Sequence, residues 1–216
     1  MVDFRRDVLR LAKGKLRDVG FTIQRDLVQK MLLRDGWYGW IGLNHALHPG
    51  VIDILTITGI RCEAVEQLVH ALLPTPSVYW GPSFTRPLYM LVPHREEPTW
   101  SFTELDPILL EDMIDKVMTY GLPFMQNLAS LDALLRAFER PIYSTPDVKT
   151  RLPCVLYLVG RRAEAESYIA SQLSTLRATL PEAALLAKPG MFSNYEVFAA
   201  NFQAMCVVRL ERVLSI

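Results

Sequence analysis

The sequence predicts an α+β fold with an N-terminal helix, an antiparallel sheet around a central Trp-rich hairpin, and a helical C-terminal half. Three observations predict it. Strand-like runs cluster in the first half, and helical periodicity dominates after Asp106. Residues 37–61, WYGWIGLNHALHPGVIDILTITGIR, read as two strands joined by a His-Pro-Gly turn and leading straight into a helix.

Residues 3–19 fit an amphipathic helix. Phe4, Val8, Leu11 and Leu16 or Val19 recur at helical spacing, Arg5, Arg6, Arg10, Lys13 and Arg17 lie mostly off that stripe, and Gly20 stands where a C-terminal cap belongs. Residues 21–33 alternate loosely, enough for one or two strands, and Asp35-Gly36 supplies a hairpin turn. Trp37, Tyr38, Trp40 and Ile41 suit a pleated, half-buried surface. Gly39 and Gly42 interrupt them, which implies a bulge or a close backbone approach. In residues 51–60 the even and odd positions are both largely apolar, the pattern of a central strand covered on each side, with Asp53 near its end.

Residues 62–73 form a helix with Val65, Leu68, Val69 and Leu72 inward, ended by Pro74 and Pro76. Residues 78–80, 88–92 and 100–103 are short strand-like runs. The five prolines from Pro74 to Pro93 make them edge or irregular structure. Asp106-Pro107 starts a helix that runs to Tyr120 and stops at Gly121, with Pro123 beyond. Ser130 caps a helix over 131–139, and Pro141 and Pro146 bracket a loop. The expected division is therefore a sheet domain over 1–140 and a helical subdomain over 141–216. From Lys149 two helices turn at Gly160. A last helix over 194–214 carries Val197, Phe198, Phe202, Met205, Val208, Leu210 and Val213.

Lys and Arg number 23, as do Asp and Glu, so the net charge is zero and gives no whole-molecule case for binding nucleic acid or an anionic membrane. The odd, widely spaced Cys62, Cys154 and Cys206 read as packed thiols in a reducing compartment. The first ten residues are charged throughout, unlike a signal peptide, and no run approaches the ~18 apolar residues of a membrane span. The expectation is a cytoplasmic, soluble protein without a cofactor.

His45 and His48 flank the turn and Asp53 follows, a set that could hold a metal or move a proton, although turn histidines are commonly solvated. Trp37, Tyr38 and Trp40 suit interface anchoring as well as core filling. Charge is unevenly spread. Residues 1–34 carry nine basic and four acidic side chains, 9 − 4 = +5, and residues 96–139 carry two and nine, 2 − 9 = −7. Such asymmetry steers a charged partner, or the two segments face one another, or acids near Asp106 complement a helix N-terminus. Glu104, Asp106, Glu111, Asp112 and Asp115 are the candidate partner-binding acids, with Trp37 and Trp40 as anchors. No nucleophile elbow or phosphate loop is present, and Cys62, at a helix start beside Arg61, reads as a packed thiol.

The helix FRRDVLRLAKGKLRDVGF, then GWIGLN, then TGIRCEAVEQLVHALL resembles a bacterial family known only as a domain of unknown function. Phe4, Arg5, Gly20, Phe21, Trp40, Gly42, Leu43, Asn44, Gly59, Ile60, Arg61, Val65, Glu66, Leu68 and Val69 are the matching positions, mainly in the first third. That family is similar to immunity proteins that bacteria keep beside secreted toxins, and the resemblance implies no catalytic residue. Leu156, Tyr157, Gly160, Ala163, Glu164, Ala165 and Tyr168 resemble one helical hairpin of tetratricopeptide type. The function expected is a non-enzymatic module that binds another protein, in the form of an immunity protein occluding a toxin's active site. The alternatives are a metal-assisted hydrolase using His45, His48 and Asp53, and a helical peptide-binding adaptor.

Overall fold

The computed structural model describes residues 4–25, 28–73, 81–139, 148–179 and 189–214. The fold is α+β, and the chain forms two compact units: Met1–Cys62 with Pro82–Ser130, and Glu63–Gly81 with Leu131–Ile216. The boundary expected at residues 140 and 141, the ends at Pro74 and Pro76 and the strand at 78–80 lie outside the described residues. Among the described residues no helix is long and apolar enough to cross a membrane.

The first unit opens with α1 (Phe4–Asp18), which buries Val8, Ala12 and Leu16 on one stripe. Gly20, at φ +99°, ends it: its N–H donates to Arg17 and that of Phe21 to Leu16, closing the last turn. A six-stranded antiparallel sheet follows. It comprises β1 (Thr22–Arg25), β2 (Val28–Arg34), β3 (Trp37–His48), β4 (Val51–Cys62), β5 (Phe84–Pro87) and β6 (Trp100–Phe102). The order is β1-β2-β3-β4-β5, with β6 also on β4, so β4 is central as its sequence predicts. β3 and β4 pair without a slip from Trp37↔Cys62 to His48↔Val51.

Opposed residues in this ladder share a face. Ile41, Leu43, Ile52, Ile54, Thr56, Thr58 and Ile60 form a buried inner face, whereas Tyr38, Trp40, Leu55 and Ile57 on the other face are half-buried. Gly39 and Gly42 cause no bulge and instead permit close approach. A Cβ on Gly39 would stand 2.7 Å from the sulfur of Met125, and one on Gly42 2.5 Å from the Trp40 ring. Cys62, buried, ends β4 and does not open the next helix.

Two expectations here are corrected. Residues 88–92 are not a strand. β5 ends at Pro87, and Leu88–Met90 make a 3-10 turn that buries Leu88. Nor does the helix of α3 (Pro107–Lys116) stop at Gly121. It passes through a π turn, Val117–Gly121, into α4 (Leu122–Asn127), which carries Pro123 in its first turn. The wider turn accommodates a proline that has no N–H to give. Gly121 serves proximity there, since a Cβ would lie 3.0 Å from the Thr58 methyl.

The second unit is helical: α2 (Glu63–Leu72), α5 (Leu131–Glu139), α6 (Val148–Leu158), α7 (Arg162–Thr179) and α8 (Pro189–Leu214). α6 packs against α2, α5 and α7, and α8 against α2 and α7. Gly160, at φ +84°, makes the turn the sequence places there. Pro153 leaves the Lys149 carbonyl without its helical donor, and the Tyr195 hydroxyl donates to it at 3.4 Å. Tyr195, Phe198, Ala199, Phe202 and Cys206 are the buried stripe of α8, whereas Val197 is exposed.

Candidate binding surface

α1 carries two stripes. Opposite the buried Val8, Ala12 and Leu16, the cations Arg6, Arg10, Lys13 and Arg17 recur at intervals of four, three and four, one face of a helix. They line a groove of about 400 Å³, closed by Leu9 from the helix, Ile23 from β1 and His45 from β3. Ile23 is about half exposed. Arg10 also meets Asp7 at 2.7 Å, an exposed pair worth little on its own.

The groove borders an open stretch of sheet. β2 meets β3 only from Val28↔Gly42 to Arg34↔Trp37, so among the described residues 43–48 of β3 pair with β4 alone. All but Leu43 in that stretch are exposed. Arg5, at the start of α1, donates to the His48 carbonyl at 2.9 Å, and His45 lines the groove with the four cations. α1 therefore meets this stretch at His45, in the groove, and at His48, through Arg5.

The expected site residues fall in separate places. His48 and Asp53 lie on one face, their Nε2 and Oδ2 3.2 Å apart, but His45 shares the opposite face with Ile54 and lines the basic groove. The three do not converge, and no group of three His, Cys, Asp or Glu among the described residues could hold a metal. Trp37 and Trp40 also lie on opposite faces. Trp37 is buried with the Arg34 guanidinium over its ring, and Trp40 is half-buried with its ring across Gly42. They make no common anchor.

The acids of the α3 region work mostly within the fold. Asp106 caps α3, accepting from the Ile108 and Leu109 N–H groups. Glu111 accepts from Lys15 of α1 at 2.8 Å. Asp112 accepts from the Trp100 indole at 3.0 Å, and Arg95 stacks on that ring at 3.8 Å. Asp115 and Asp112 both lie near Lys116, and the Asp112 hydrogen bond is the main reason its ammonium pKa is raised. Glu104 is exposed. Lys15 with Glu111 realises the expectation that the two charged segments face one another. The groove, by contrast, is not legible in the sequence as a unit. Its signal was the spacing of Arg6, Arg10, Lys13 and Arg17, but His45 and Ile23 join only through the sheet.

Comparison with protein-family models, with curated proteins and with solved structures returned no match.

Proposed function

We propose that this chain is a non-enzymatic protein-binding module whose principal contact surface is the basic groove of α1. The observation that supports this reading is the alignment of four cations and His45 on one concave strip beside an open strand edge. A partner with acidic character gains there from steering and from charge-assisted hydrogen bonds. The mechanism is occlusion: the module covers a partner's working surface and makes or breaks no bond.

The specific form we favour is the one the family resemblance implies, an immunity protein that neutralises a toxin. Its half-exposed Trp40 and Tyr38 and its exposed Glu104 are secondary contacts in this account. Co-expression with the product of the adjacent reading frame tests it. Rescue of growth by this chain supports the toxin reading. A harmless neighbour, or toxicity that persists with this chain present, contradicts it.

A further inference from the structure

We propose that the partner docks as an extended acidic polypeptide segment, adding a strand to residues 43–48 of β3 with its carboxylates toward α1. This inference rests on the protein-binding reading above and names its geometry. A strand paired on one side leaves alternate N–H and C=O groups turned outward, a template for another chain. Addition of a strand to such an edge takes affinity from main-chain hydrogen bonds and specificity from side-chain pockets.

The dimensions agree. From Arg6 to Arg17 the stripe rises about 16 Å along the helix, the length of about five extended residues. An acid at every second position of the added strand would face the cations. The uncharged positions of the groove are apolar, Leu9 and Ile23, and Leu47 lies exposed on the same side of β3 as His45. Apolar positions among the cations, beside a strand edge that among the described residues pairs with β4 alone, favour a polypeptide over a single-stranded nucleic acid.

The test uses the full chain and a short peptide alternating Glu with Val. A short oligothymidylate serves as the nucleic-acid arm, and a peptide N-methylated at alternate amides as the strand-blocking arm. The inference expects the Glu-Val peptide to bind, to weaken about tenfold from low to high salt, and to slow hydrogen exchange at the outward amides of residues 43–48. It expects N-methylation on the pairing edge to abolish binding. Unchanged exchange at 43–48, indifference to N-methylation, or tighter binding of oligothymidylate overturns it. No peptide binding, with a host partner still captured by wild type and lost by the Arg10→Glu/Arg17→Glu variant, overturns strand addition alone. No partner captured by either form overturns the protein-binding reading as well.

Discussion

Arg151 of α6 and Glu66 of α2 form a two-pronged ion pair, Nε to Oε1 at 2.8 Å and Nη2 to Oε2 at 3.0 Å, with both side chains almost fully buried. Burying two charges is unfavourable unless their geometry and remaining hydrogen bonds compensate, so removing one partner is the damaging change. Glu66→Ala is expected to destabilise by about 3–5 kcal/mol in urea unfolding. The double change Glu66→Met with Arg151→Met should recover most of that loss. Equal loss in the single and double variants would contradict the pairing as the source.

Gly59 of β4 sits where a Cβ would stand 2.6 Å from the backbone oxygen of Phe84 and 2.9 Å from the Thr85 methyl carbon. Backbone cannot rotate away as a side-chain tip can. Gly59→Ala should therefore push β5 off β4 and destabilise by about 1–3 kcal/mol. Gly14 has nothing within 4 Å of its Cβ position and is helical, so Gly14→Ala should be neutral or stabilising, and thermal unfolding of both variants checks the contrast.

Burial, with the nearby Glu66 carboxylate second, pushes the Cys154 thiol pKa up, and burial raises that of the Tyr195 phenol. Both folded values lie above the unfolded ones, so their stability contribution is complete at neutral pH. As pH climbs past about 8.5 for a thiol and about 10 for a phenol, the unfolded chain sheds protons that the native chain keeps, and stability falls. Urea midpoints should decline from near pH 8.5 upward, and Cys154→Ala should flatten the first part of that decline. A constant midpoint to pH 10.5 would contradict this.

His48 and Asp53 form a two-residue pair from which His45 is turned away. Purified protein is expected to carry no stoichiometric zinc or manganese, and a chelator should leave its melting temperature unchanged. One metal ion per chain, lost together with His48→Ala, would favour the hydrolase instead.

The hairpin, the capped start of α3 and the turn at Gly160 are legible because each depends on residues close in sequence. Asp106 beside Pro107 sets α3 locally, and Pro49-Gly50 sets the β3–β4 turn. What was hidden depends on distant partners. Nothing within residues 62–73 marks Glu66 as buried, since its partner Arg151 lies 85 positions away, and Gly121, read as a stop, marks contact with Thr58. The Trp37–Trp40 anchor failed on simple parity, since three residues along a strand reverse the face. The acids of α3 read as a surface patch, yet Asp106, Glu111 and Asp112 complete caps and ion pairs in their own unit. The groove lay between these cases, its cations spaced visibly and its walls supplied by the sheet.

The most direct measurement is quantitative capture from lysate of the native host at low salt, comparing wild type with Arg10→Glu/Arg17→Glu. Both positions are exposed, so the variant should fold with stability within about 0.5 kcal/mol of wild type. The account predicts a protein with an acidic segment recovered at least about tenfold more by wild type, and released from it by high salt. The same proteins recovered equally by both forms, or none by either, would contradict it.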